Sequence, residues 1–103
     1  MVNNLFATMI LRIVKMKFKA EHCDEFLELF NKYHSQIAGF KNCISVELLR
    51  DSKEPQIFFT YSKWESESDL NKYRESELFK SVWSQTKALF AEKAEAWSVN
   101  KLK

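Results

Sequence analysis

The chain has 103 residues and a mass of 12.3 kDa, one domain by size, and folding at this length buries roughly two-thirds of the unfolded surface. Hydrophobic residues make up 46% and aromatic residues 15%, enough for a core without disulfides or a structural metal, and 16 Lys and Arg interspersed with 14 Asp and Glu leave a net charge of +2, so nucleic acid is not an expected partner. A single glycine, Gly39, and a single proline, Pro55, exclude phosphate loops, dinucleotide fingerprints and the G-x-S-x-G elbow, all of which need several glycines.

Residues 1–8 carry Asn3 and Asn4 and no periodicity, and are expected to be a dispensable extension to a domain spanning 9–103. The apolar run Leu5 to Leu11 falls far short of the ~20 residues of a membrane span. It also lacks a basic leader and a small-residue cleavage site, so the protein is read as cytoplasmic, with no membrane partner. Met9 to Phe18, MILRIVKMKF, alternates Ile10, Val14, Met16 and Phe18 with Leu11, Ile13, Lys15 and Lys17, which predicts a strand apolar on both faces at its start. From 21 to 38 the period changes: Phe26, Leu29, Phe30, Tyr33 and Ile37 recur at helical spacing, behind acids at Glu21, Asp24 and Glu25 and ahead of Gly39 as a C-terminal cap. Ile44, Val46 and Leu48 then alternate with Ser45, Glu47 and Leu49, and the polar break 51–55 separates them from Ile57 to Tyr61, which predicts an antiparallel hairpin.

Past Trp64, Ser66 and Asp69 have capping-box spacing before a short helix with Leu70 and Tyr73 on its apolar stripe. Ser76 caps a second helical stretch that places Phe79, Val82, Trp83, Thr86 and Phe90 on one face, and Ala96 to Leu102 alternates as a final strand. The charged stretches Glu65 to Asp69 and Glu92 to Glu95 read as solvated helix surface. Cys23 and Cys43 form no C-x-x-C and are expected to be reduced thiols.

Strand, helix, strand, strand, helices, strand is the order of the ferredoxin-like split β-α-β fold, an α+β class with helices on one face of a four-stranded antiparallel sheet. The other face is too apolar to stay wet, and a second subunit packed sheet to sheet is the simplest cover.

Two segments, Tyr61 to Phe79 (YSKWESESDLNKYRESELF) and Met9 to Phe30 (MILRIVKMKFKAEHCDEFLELF), resemble the antibiotic-biosynthesis monooxygenase domain family, small dimeric α+β barrels. The resemblance runs from about Met9 to the C-terminus. It implies a homodimer with a pocket in each subunit between helices and sheet. Many relatives oxidise phenolic or quinol-like aromatics without flavin or metal, and others degrade haem. The resemblance therefore implies a cofactor-independent monooxygenase acting on a small aromatic molecule, with no cofactor and no metal. The Asn, Trp and axial His of haem-degrading relatives align with Val14, Tyr73 and Trp83, so haem degradation is not expected. The two histidines of quinol-oxidising relatives align with Tyr73 and Leu78. The alternative, which those substitutions favour, is a non-catalytic dimeric module that binds a small hydrophobic ligand.

Two residues are candidates for proton chemistry. The Tyr73 hydroxyl could hydrogen-bond a phenolate or bound oxygen, though a core tyrosine needs no such role. His34 is the histidine better placed to reach the helix-sheet space, and imidazole titrates near neutrality, though histidines on a helix shoulder are commonly just solvated. His22 stands too far from His34 for a helical H-x-x-x-H metal pair. Trp83, Tyr33, Trp64 and Phe79 are the candidate substrate-binding residues, each with a plain core role as its alternative.

Overall fold

The computed structural model describes residues 8–103. The expected extension lies outside the described residues except for Thr8, which is exposed. Strand β1 (Ile10–Phe18) leads through one 3-10 turn (Ala20–His22) into helix α1 (Cys23–Ala38). Strands β2 (Cys43–Arg50) and β3 (Ile57–Trp64) form the hairpin, helices α2 (Glu67–Arg74) and α3 (Glu77–Lys87) follow, and β4 (Phe90–Val99) closes the sheet. The sheet order is β2-β3-β1-β4, every pairing antiparallel, which is the ferredoxin-like α+β arrangement.

Period 2 sorts the sheet's two faces. Ile10, Met16, Phe18, Phe58 and Trp64 are buried on the inner face beneath the helices, in two packed clusters. One joins Ile10, Ile37, Val46, Trp64, Leu70 and Tyr73, and the other joins Met16, Phe18, Cys23, Phe26, Phe58 and Leu89. The outer face carries Leu11, Ile13, Phe59 and Tyr61 on the central strands, in register as Leu11↔Lys63, Ile13↔Tyr61 and Lys15↔Phe59, with Leu49 and Trp97 44% exposed beside them.

The ends of the helices follow from local chemistry. Ser66 Oγ accepts from Asp69 N at 3.1 Å, and Ser76 Oγ accepts from Phe79 N at the same distance, each satisfying an amide that the first turn leaves free. Gly39 does cap α1, through its own N–H to Ser35 O at 2.9 Å, but at φ −87°. A side chain there would bring its Cβ to 3.1 Å from Ser35 O. The left-handed residue of this turn is Asn42, at φ 64°, a conformation that asparagine tolerates.

Four expectations need correction. Phe90 opens β4 and is not on α3, and the final strand is Phe90–Val99, shifted from 96–102, with Leu102 91% exposed beyond it. The alanine, glutamate and lysine residues of 91–96 favour helix in isolation, but pairing along β1 from Phe18↔Phe90 to Leu11↔Val99 overrides that preference. Glu92 to Glu95 is consequently edge strand, where charge guards against unwanted pairing, and Glu92 lies 3.5 Å from Lys17 Nζ. Finally, Ile44 does not share a face with Val46 and Leu48. The register shifts between Cys43↔Trp64 and Ser45↔Lys63, so Ile44 is the extra residue of a bulge and is 51% exposed.

Candidate functional site

Between helices and sheet lies a cavity of about 310 Å³ that touches both core clusters, at the lower end of the roughly 300–1,000 Å³ usual for small-molecule pockets. Val14, Met16, Val46, Trp64, Ala94 and Ala96 supply its sheet side. Phe26, Phe30, Tyr73, Phe79, Val82 and Trp83 supply its helix side. The small alanines of β4 and the shortness of α2 leave space that larger residues would have filled.

Helix α2 is fixed at its start by more than its own cap. Asn42 Nδ2 donates to Asp69 Oδ1 at 2.9 Å, and Glu65 N donates to Asn42 O at 3.1 Å. Asn42 first, and Ser66 after it, hold the Asp69 carboxyl below the usual carboxylate range. The anchored helix delivers Tyr73 onto Trp64, with ring centroids 4.9 Å apart and planes 25° apart. Trp64 Nε1 donates to Ser62 Oγ at 3.0 Å, which orients the indole. Phe79 meets Tyr73 edge to face at 5.2 Å and lies nearly parallel to Trp83, at 13° and 5.9 Å.

The Tyr73 hydroxyl has no hydrogen-bond partner among the described residues, which leaves its proton available to a ligand. Burial, and then the electrostatic influence of Cys43, push its pKa well above the ordinary tyrosine value, so the phenol is protonated at neutral pH. Both cysteines are free thiols, and burial raises the pKa of Cys43 as well.

Of the six residues singled out in the sequence, the fold brings together Tyr73, Trp83, Trp64 and Phe79 around the cavity and leaves out Tyr33 and His34. Tyr33 packs partly buried against the first cluster, and its phenol pKa is lowered chiefly by a hydrogen bond to the Gln85 side chain and next by the charge of Lys32. His34 is exposed on the flank of α1, where Nε2 lies 3.1 Å from Val46 O on edge strand β2 and the ring packs on Phe30 at 5.2 Å. It covers an edge carbonyl away from the cavity. In its place the cavity gains polar residues: Arg12, Thr60, Ser62, Arg74 and Thr86. Arg12 had a signal, a charged residue on the otherwise apolar inward phase of β1. Arg74 had none, since a basic residue in a helix's last turn is ordinary. Among the described residues no Asp, Glu, His or Lys lines the cavity, and no three His, Cys, Asp or Glu side chains gather as metal ligands.

The family model described as antibiotic biosynthesis monooxygenase matches residues 9–83. The chain belongs to that family. Solved structures agree on the architecture. A conserved protein from Methanosarcina mazei Go1 superposes with a TM-score of 0.89 at 20% identity, covering 94% of this chain and 96% of that one. A solved antibiotic biosynthesis monooxygenase gives 0.85 at 18% identity, over 91% and 99%. Rv0793 from Mycobacterium tuberculosis gives 0.86 at 12% identity, over 93% and 97%. At these identities the likeness is one of fold. No curated protein matches the chain. Among the described residues no helix is long and apolar enough to cross a membrane.

Proposed function

We propose that this family member is a monooxygenase that oxidises a small phenolic or quinol-like aromatic in the cavity, with molecular oxygen and without flavin or metal, and that it works as a homodimer. The observation that carries the reading is the aromatic-walled cavity with one unengaged, un-ionised phenol, Tyr73, at its wall. In the balanced reaction a phenol with a para C–H becomes a quinone. One atom of O₂ enters the ring as the new carbonyl oxygen, and the other leaves as water with the phenolic and ring hydrogens, so no external reductant is consumed. Ionisation of the substrate raises its electron density towards oxygen. The Tyr73 hydroxyl is placed to donate to the oxyanion, and the apolar walls keep water from the reactive pair. With no carboxylate, imidazole or lysine amine among the described residues lining the cavity to act as a general base, the substrate's proton leaves to solvent, which the positive field of Arg12 and Arg74 favours.

That same lack of a lining base favours the second reading, a non-catalytic module for a small hydrophobic ligand. An oxygen electrode separates the two. Uptake above the autoxidation blank with a dihydroxynaphthalene or an anthrone, in chelated and flavin-free buffer, is expected of the oxygenase. Binding of these compounds without uptake identifies the module.

The dimer rests on the sheet's outer face, where Leu11, Ile13, Phe59 and Tyr61 form an apolar band with Leu49 and Trp97 exposed beside it. Monomers rarely leave such a band to water, and a second copy offers a matching one about a two-fold axis. Light scattering at micromolar concentration is expected to give about twice 12.3 kDa. A soluble, folded monomer would remove the dimer from the proposal.

A further inference from the structure

On the inner face of β1 the sequence of side chains is Ile10, Arg12, Val14, Met16, Phe18, four apolar residues and one guanidinium. Arg12 stands opposite Ser62 on β3 and Ser98 on β4, and its Nη1 donates to Ser98 Oγ at 2.9 Å. Arg74, in the last turn of α2, reaches the same cavity from the helix side. The ion pairs among the described residues are Lys17 with Glu92, His22 with Glu25 and Lys80 with Glu77. Neither arginine takes part in one, and no carboxylate lines the cavity. Burial, and then the charge of Arg74, lower the Arg12 pKa, as expected where like charges converge on a partly dry site. Two guanidinium groups therefore line one cavity, and the side-chain hydrogen-bond partner that they have among the described residues is the neutral Ser98 hydroxyl, on Arg12.

We propose that Arg12 and Arg74 form the anion-recognising end of this cavity, and that its ligand is an aromatic carboxylic acid, held by its carboxylate at the two guanidinium groups with its ring system against Phe79 and Trp83. The proposal rests on the cavity being the ligand site and specifies what that ligand must carry. Guanidinium forks match the paired oxygens of a carboxylate, and the bonds are charge-assisted. The near-parallel Phe79 and Trp83 rings offer flat walls, which suit a carboxylate conjugated and coplanar with its ring better than a tetrahedral anion. The bound anion supplies the counter-charge that the fold omits. Arg74 is exposed and Arg12 is half-buried, so neither guanidinium is sealed from water without a protein acid.

Calorimetric titration with 1-naphthol, 1-hydroxy-2-naphthoate and 1-naphthyl phosphate tests this on the full chain. Wild type is expected to bind the hydroxynaphthoate roughly 10- to 100-fold more tightly than naphthol at low salt, the range for hydrogen bonds to a charged group. Arg74→Gln and Arg12→Gln are each expected to remove most of that preference while changing naphthol affinity less than about twofold. Arg74 lies exposed at a helix end, so its variant keeps the test sound even if Arg12→Gln disturbs the sheet. Equal affinity of wild type for acid and naphthol, or an unchanged ratio in Arg74→Gln, overturns the proposal and leaves the cavity reading standing. Tighter binding of the naphthyl phosphate overturns the carboxylate assignment. Binding of none of the three overturns both the proposal and the cavity reading beneath it.

Discussion

Trp64→Ala is expected to destabilise the protein by about 3–5 kcal/mol, the range for removing a fully buried large aromatic. Trp64 is 0% exposed. On β3 it stands opposite Ile10 on one side and Cys43 on the other, at the end of two strand pairings. Its indole stacks on Tyr73, meets Phe40 edge to face at 6.3 Å and donates to Ser62 Oγ. Truncation therefore opens a void beside an existing cavity, leaves Ser62 without its donor and frees α2 from the surface against which it packs. Domains of this size have only about 5–15 kcal/mol of stability in total, so the variant loses a large share of it. Trp64→Phe retains the ring contact and loses the Nε1–H, for which roughly 1–2 kcal/mol is the expected cost. Urea denaturation of the three proteins gives both numbers. A loss below about 1 kcal/mol for the alanine variant would show that the first cluster is loosely packed.

Where local pattern and tertiary packing agree, the sequence is legible. The inward phase of β1, the stripe of α1 and the serine caps of α2 and α3 stand where periodicity and cap chemistry put them. The family resemblance, from Met9 onward, and the fold that it implies are matched by the family model over 9–83 and by the solved structures. Legibility fails where a partner strand decides. Residues 91–96 have helical composition, and only the long pairing with β1 makes them strand. The bulge at Ile44 depends on how β2 must register with Trp64 and Lys63, which alternation alone does not encode. His34 lies four residues after Phe30, which lines the cavity, but one turn further along α1 the imidazole reaches the outer edge of β2 at Val46 O and not the cavity. The cavity's aromatic wall was readable because its members lie on apolar stripes. Its charge was only half readable, because Arg12 stands on the inward phase of β1 but Arg74, from α2, joins it at the cavity only in the fold.

Tyr73→Phe is expected to leave the fold intact and to lower oxygen uptake by about 10²- to 10³-fold, the usual effect of losing one oxyanion donor. The prediction rests on the proposed oxygenase chemistry. The substitution removes a single hydroxyl that bonds no described residue and retains the ring, with its contacts to Trp64, Phe40 and Phe79. Stability and rate therefore separate: a thermal melt close to wild type should accompany the loss of rate. The pH profile tests the role more narrowly. Burial first, and Cys43 second, raise the pKa of Tyr73 above the value of about 10 that it has in the unfolded chain. Below that value the phenol is protonated in both states. Above it the unfolded chain releases a proton that the fold retains, and the group's contribution to stability is lost as pH rises further. The donor thus persists across the whole working range, and the wild-type rate should climb with the ionisation of the substrate without a descending limb from Tyr73. The phenylalanine variant should climb in parallel at a lower level. A rise that disappears in the variant would make Tyr73 the ionising group, and a wild-type rate in the variant would remove it from the mechanism while leaving the aromatic cavity as the place where the ligand binds.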